Sequence, residues 1–278
     1  MQDRCGRYLS VGLLALALGC GGETNGETVD GGTADGGTVE DLAVSPDLTP
    51  PPPDCTGKPM PMTGTQTRTI SVGSSKRTYL LHIPPTYNPS KFTSVVFAFH
   101  GFTTQATDFI KDIGIEAASD QRNLIAVVPQ GSGVIPSWNA GGCCGEAQTF
   151  GTDDVGFVRT LLASLRSELC VDDKRVFAMG HSNGGFMSNR LACEMADDFA
   201  AIGPNSAGLV FSACKPSRPV PVYYMHGDAD GVVFYGGGFP LGWSGAKDTF
   251  DGWGTRNKCA TPAKVTSQAG KVTCQTYA

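Results

Sequence analysis

Charge and histidine are both scarce in this sequence. Charged residues make up 17% of the 278 residues, and only four residues are histidines. The formal net charge is −5, but the acidic excess is local, since residues 21–54 hold eight acidic residues and no lysine or arginine. Residues 55–278 hold 19 basic and 17 acidic residues and are therefore nearly neutral. Because no basic stripe is present, we do not expect nucleic acid as a partner.

Paired metal-ligand motifs are also missing. No C-x-x-C pair with matching histidines occurs, so we expect no metal site and no cofactor. Cysteine itself is plentiful, with ten residues, which is typical of proteins from an oxidising compartment. Two of the cysteines in residues 55–278, Cys259 and Cys274, are close enough in sequence to form a pair. The remaining pairings stay open.

No apolar run near the N-terminus is long enough to span a bilayer as a mature helix. A shorter run, residues 9–18, follows Arg4 and Arg7, and this order is typical of an export signal. The run ends in the letters ALGC at Cys20, which are similar to the cleavage box of a bacterial lipoprotein. We therefore predict an extracellular protein anchored to a membrane only through lipid on Cys20. Free secretion is the alternative.

Three segments are predicted along the chain. Residues 1–20 are the signal, and residues 21–54 are an acidic linker of Gly, Thr and Pro that cannot bury a core and is expected to be disordered. Strands alternate with helices through residues 55–278, which favours a three-layer α/β domain with a mostly parallel sheet. The predicted strands are 67–72, 77–83, 94–99, 124–128, 175–179, 199–202 and 221–225. The predicted helices are 108–118 and 154–169, the second capped by Asp153.

The strand at 175–179 runs into the letters GHSNG at 180–184, followed by a helical pattern. This matches the G-x-S-x-G turn, in which a strained bend between strand and helix exposes the serine. Glycine and serine are frequent here, so the motif alone is weak, and its strand–turn–helix context decides. We predict that Ser182 is a nucleophile. The alternative is a glycine-rich turn that only joins two elements.

Other candidate site residues also follow strands, at the sheet edge where sites in such folds lie. After strand 94–99, a backbone N–H of Phe102 or Thr103 is expected to bind an oxyanion together with that of Asn183, unless this segment is only a turn. After strand 221–225, the letters HGDAD place Asp230 or Asp228 as the acid that orients a histidine, with solvated loop acids as the alternative.

Two further residues are candidates for lining a substrate cleft. Trp138 lies in the loop SWNAGGCCG and is predicted either to line the cleft or to pack beneath the loop. His100 is a weaker candidate, for which a structural role is the alternative.

Seven blocks of the sequence are similar, in the same order, to a secreted esterase family that includes polyhydroxybutyrate depolymerases, feruloyl esterases and acetyl xylan esterases. The blocks read RTYLLHIPPTY, FAFHGF, SWNAGGCCG, TDDVGFVRTLL, VDDKRVFAMGHSNGGFMSNRLACE, YYMHGDADGVVFYGGG and the segment 253–259. The resemblance covers residues 55–278. It implies an α/β-hydrolase fold, Ser182 as nucleophile, Asp230 as triad acid, and substrates that are esters of plant polysaccharides or polyesters. We expect a monomer.

No histidine follows Asp230 in the sequence. The family carries its catalytic histidine in a loop after a further strand, so the resemblance implies that the last strand and the histidine loop are missing. Of the histidines present, His226 is the best-placed substitute, because it lies at a strand end beside Asp230, whereas His181 is expected to point away from Ser182. We expect an esterase that is impaired in turnover. The alternative is a non-catalytic surface lipoprotein that binds esters.

Overall fold

A computed structural model describes residues 55–210, 213–238, 242–260 and 262–277. The predicted signal at 1–20, the lipidation site Cys20 and the linker 21–54 lie outside these residues. Among the helices of the described ranges, none is long and apolar enough to cross a membrane.

A six-stranded sheet with the order β1-β2-β4-β3-β5-β6 forms the centre of the domain. Its strands are β1 (Gly64–Val72), β2 (Ser75–Ile83), β3 (Thr93–Phe99), β4 (Leu124–Pro129), β5 (Val171–His181) and β6 (Ala201–Asn205). The pairs β3–β4, β3–β5 and β5–β6 are parallel, whereas β2 pairs antiparallel with both β1 and β4. The mostly parallel sheet predicted from the sequence is confirmed.

Helices cover both faces of the sheet. They are α1 (Ala106–Asp112), α2 (Ile115–Arg122), α3 (Gly145–Thr149), α4 (Asp154–Glu168), α5 (Asn183–Glu194) and α6 (Ala246–Arg256). Every residue of β3 is buried, because alternate side chains enter opposite cores: Val95 and Phe97 face α4 and α5, whereas Val96 and Ala98 face α1 and α2. The predicted three-layer arrangement is therefore present.

Two elements differ in kind, and not only in their ends, from the sequence prediction. The single helix predicted at 108–118 is two helices, because Gly114 adopts a left-handed conformation with φ 60° and interrupts the helical turn. The strand predicted at 221–225 is present only as two parallel bridges to β6, Val222 with Ile202 and Met225 with Asn205. Helix α4 begins as predicted, since the Asp153 carboxylate accepts the Gly156 N–H at 2.8 Å.

Two further features lie around this sheet. Strands β7 (Lys264–Ala269) and β8 (Val272–Thr276) pair with each other in a separate antiparallel sheet. Disulfides join Cys55 to Cys170, Cys143 to Cys144 and Cys193 to Cys214. Cys259 and Cys274, the pair favoured by their short separation, are both disulfide-bonded as well.

A buried ion pair ties the edge hairpin to the start of α4. Arg77 on β2 donates to Asp154 at 2.7 Å, and their side chains are 11% and 0% exposed. The Arg77 guanidinium also lies 4.2 Å from the centre of the Phe157 ring. Burial of Asp154 raises the pKa of its carboxyl despite the opposing charge of Arg77. Removing only one partner of this pair would therefore leave an unpaired charge in the protein interior, which is strongly destabilising.

Replacing Arg77 with alanine is expected to lower the free energy of unfolding by about 3–5 kcal/mol, because Asp154 would remain buried without its counter-ion. The matched control is Arg68→Ala, which breaks the more exposed pair with Glu168 and is expected to cost about 0–1 kcal/mol. Urea unfolding at neutral pH measures both losses. Equal losses would contradict the importance assigned to burial of the Arg77 pair.

Candidate active site

Ser182 occupies a sharp bend between β5 and α5. Its backbone has φ 52° and ψ −122°, and its N–H donates to the Asn205 carbonyl at 2.9 Å. A Cβ atom on Gly184 would overlap the Phe99 carbonyl, so only glycine allows α5 to pack this closely against β3. Strand, bend and helix thus have the local geometry that the G-x-S-x-G motif predicts.

Asn183 is the first residue of α5, so its backbone N–H has no partner within the helix and lies next to Ser182. On the other side of the bend, Gly101 is close to both His181 and Ser182: a Cβ atom on Gly101 would lie 3.6 Å from each. Phe102 follows directly and is 40% exposed. The elements predicted to carry the oxyanion donors therefore flank Ser182.

Thr103 is the weaker of the two donors considered after β3. It has a positive φ of 71°, and its backbone N–H already donates to the Pro136 carbonyl at 3.0 Å. An N–H that is used in this way is not offered to a substrate oxygen. Phe102 and Asn183 therefore stay as the candidate donors.

Trp138 and His100 do not line a cleft, and this part of the sequence prediction is corrected. Both residues are 0% exposed, so neither has surface that a substrate could touch. The Trp138 ring packs edge-on against Phe99 at 5.2 Å between centroids. His100 accepts the Gly131 N–H at 2.8 Å, and burial lowers the pKa of its imidazole. Both side chains support the loop from beneath.

Asp230 is held by several hydrogen-bond donors. Its Oδ1 accepts the backbone N–H groups of Val232 and Val233 at 2.9 and 3.0 Å. Burial acts to raise its pKa, but these two bonds, a bond from the Ser206 hydroxyl and the nearby His226 together hold the pKa of the carboxyl below its usual range. Asp228, the other acid considered, is exposed. The arrangement favours Asp230 as a fixed, ionised carboxylate.

His226 is fixed at both ring nitrogens. Its Nε2 donates to the Val233 carbonyl at 2.7 Å, and its Nδ1 lies 2.7 Å from the Tyr224 hydroxyl. The Asp230 carboxylate is 3.6 Å from Nε2, and the His226 side chain is only 2% exposed. These contacts suit a residue that supports the Asp230 loop and leave no nitrogen to take a proton from Ser182.

His181, which is expected to point away from Ser182, is exposed. Its Nδ1 lies 3.4 Å from the Asn205 amide nitrogen. Partial burial lowers the pKa of the imidazole, and the charge of Asp230 opposes this shift. The remaining histidine, His82, bonds Thr65 and Asp120 on the hairpin side of the sheet.

The chain matches the family model Esterase over residues 71–258, well over half of its length. It belongs to the Esterase family. Feruloyl esterase B of Piromyces equi is 30% identical to this esterase-family chain over 217 residues, which are 72% of this chain and 39% of that protein. Feruloyl esterase C of Emericella nidulans is 34% identical over 171 residues, 59% of either chain. The chain thus spans less than two thirds of the length of these two relatives.

Solved esterase structures share the fold. Acetyl xylan esterase from Aspergillus awamori superimposes with a TM-score of 0.54 at 17% identity, covering 71% of this chain and 81% of that one. A thermostable esterase superimposes with a TM-score of 0.51 at 20% identity, covering 61% of this chain and 48% of that one. At these identities the likeness supports the α/β-hydrolase fold predicted for the Esterase-family domain.

Two residues near Asp230, Ser206 and Tyr224, are not predicted from the sequence. Ser206 follows β6 directly, has a positive φ of 48°, and its hydroxyl helps to lower the pKa of Asp230. Its place after a strand end could have marked it. Tyr224, which bonds His226, lies within a segment that the apolar pattern predicts as an ordinary strand. No sequence signal indicates that its hydroxyl faces the histidine.

The contribution of the Asp230 carboxylate to stability can be tested by its dependence on pH. A carboxyl with a depressed folded pKa stabilises the protein above its ordinary pKa of 3.8, and this contribution is lost as the pH falls through the folded value. We therefore expect Asp230→Asn to lower the melting temperature at pH 6, and the difference from the parent to shrink below about pH 4. Asp228→Asn is the control and is expected to leave the melting temperature unchanged. A larger loss of melting temperature in Asp228→Asn than in Asp230→Asn would indicate that Asp228 is the acid held by hydrogen bonds.

Proposed function

We propose that this chain is an extracellular serine carboxylic-ester hydrolase that acts on esters of plant polysaccharides, feruloyl or acetyl xylan esters, through an acyl-enzyme on Ser182. The observation that carries the proposal is the bend at Ser182, which places a half-buried serine at the start of α5 beside the N–H of Asn183. Membership of the Esterase family and the names of the feruloyl and acetyl xylan esterases above support the substrate class.

The reaction would proceed in two stages. The Ser182 hydroxyl oxygen attacks the ester carbonyl carbon while its proton passes to a base, and the carbonyl electrons move to the oxygen. The N–H groups of Asn183 and Phe102 stabilise that oxyanion. Collapse of the intermediate expels the alcohol, which takes the proton from the base, and leaves the acyl group on Ser182. Water then gives a proton to the base and attacks the acyl carbon, and the Ser182 oxygen regains that proton as the acid leaves.

Asp230 is assigned to orient the base and stabilise its cation. The family resemblance implies that this base is a histidine in a loop after Asp230. Among residues 1–278, His181 is the exposed histidine next to Ser182 in sequence, and the charge of Asp230 acts on its imidazole. Lipidation of Cys20, which would anchor the enzyme at the cell surface, stays a prediction.

A second candidate function is a surface protein that binds such esters without turning them over. The observation that favours it concerns the four histidines, which all lie in the described residues. Their recorded hydrogen bonds go to other groups, and none joins a histidine to the Ser182 hydroxyl. Without a base, a serine hydroxyl is a weak nucleophile.

Hydrolysis of methyl ferulate and p-nitrophenyl acetate by the full chain separates the two functions. Ser182→Ala is expected to lower kcat by about 10³-fold or more, because the acyl-enzyme cannot form. The control is Ser188→Ala, in the same helix, whose hydroxyl bonds only the Gly184 carbonyl. Its kcat is expected to stay within about twofold of the parent. Saturable binding of methyl ferulate, with equal slow turnover by the parent and Ser182→Ala, would favour the binding protein.

A further inference from the structure

Trp138 and Asn139, called the bridging segment here, connect the two sides of the proposed oxyanion site. The Trp138 indole N–H donates to the His100 carbonyl at 3.0 Å, just before the turn that leads to Phe102. The main-chain N–H and carbonyl of Trp138 bond the Asn183 side chain at 2.7 and 3.0 Å. One residue is thus bonded to both elements that would offer N–H groups to the substrate.

The Asn183 amide is fully buried, with 0% exposure, so water does not compete for these two bonds. Its carbonyl oxygen accepts from Trp138 and its NH₂ group donates back, which fixes the amide in one orientation. The NH₂ group also lies 3.7 Å from the Cys143 sulfur. Because this side chain and the backbone N–H belong to the same residue, the pairing constrains the direction of that N–H.

The bridging segment is itself held from two helices. Asp154, at the start of α4, accepts the Asn139 N–H at 2.8 Å. Arg190, on α5, donates to the Asn139 carbonyl at 2.7 Å. The Asn183 amide is therefore paired with a fixed partner and not with a mobile loop.

The geometry points to the Asn183 side chain as a positioning residue for the oxyanion: by pairing with the bridging segment, it aims the Asn183 N–H at the oxygen of the tetrahedral intermediate. This role rests on the proposed function. A displacement of about 1 Å in such a donor can cost about 100-fold in rate. Loss of the side-chain pairing should therefore affect the chemical step more than substrate binding.

The chain offers a matched control in Asn189, on the same helix. This residue is 1% exposed, donates to the Gly208 carbonyl at 3.0 Å and accepts the Trp253 indole N–H at 2.9 Å. Asn183→Ala and Asn189→Ala each remove two buried hydrogen bonds between nitrogen and oxygen, and Asn183→Ala also removes the weaker contact with the Cys143 sulfur. Both are therefore expected to lower the melting temperature by similar amounts. Only Asn183→Ala is expected to reduce kcat for p-nitrophenyl acetate, by about 10- to 100-fold, with KM within about twofold of the parent. Equal kcat values in the two variants would overturn the inference.

A second measurement needs no turnover. In isotope-labelled Ser182→Ala protein, acetate stands in for the product carboxylate, and amide NMR follows residue 183 during the titration. The backbone amide resonance of residue 183 is expected to shift as acetate is added. This shift is expected to be smaller in the double variant with Asn183→Ala and unchanged in the double variant with Asn189→Ala. No response at residue 183, or equal responses in both double variants, would overturn the inference. Failure of the proposed function is different: the parent and Ser182→Ala would hydrolyse the ester equally, whatever the acetate response.

Discussion

The left-handed backbone of Ser182 is the constraint around which the domain is built. A non-glycine residue with φ near 50° costs about 1–3 kcal/mol and persists only where its surroundings hold it. Here β5 lies between β3 and β6, the Ser182 N–H is bonded to Asn205, and α5 packs close to β3 because Gly184 has no side chain. The strain is thus supported by the most buried part of the sheet.

Neighbouring strand ends supply the groups around this bend. β3 leads to the turn at Gly101 and Phe102, and β6 leads to Ser206, whose hydroxyl helps to lower the pKa of Asp230. The side of the bend that holds Gly101 and Asn183 is buried, whereas Asp230 lies on a loop whose residues 227–229 are exposed. The two sides therefore differ in burial. The buried side has little freedom to rearrange, whereas the loop after Asp230 is ordered by hydrogen bonds from Val232 and Val233 to the Asp230 carboxylate.

Much of this arrangement could be predicted from the sequence, because its signals are local. Apolar runs indicated the buried strands, and a strand followed by GHSNG indicated the bend at Ser182. The errors concern side-chain direction and tertiary pairing. Nothing in a loop sequence states that Trp138 faces inward, or that the Thr103 N–H is used by another loop. Gly114 could have marked the helix break, since an isolated glycine within a helical pattern lowers helix propensity.

The disulfide between Cys55 and Cys170 has a mechanical consequence. It fastens the first described residue of the domain to the residue just before β5, and Lys58 adds hydrogen bonds to the carbonyls of Arg166 and Ser167 at the end of α4. A pull on the chain that precedes Cys55 would pass through a covalent bond to the base of the central strand. It would bypass the hairpin of β1 and β2 at the edge of the sheet. The tension would enter at the end of β5 opposite Ser182, so it would not pass through the sheet edge that carries Ser182.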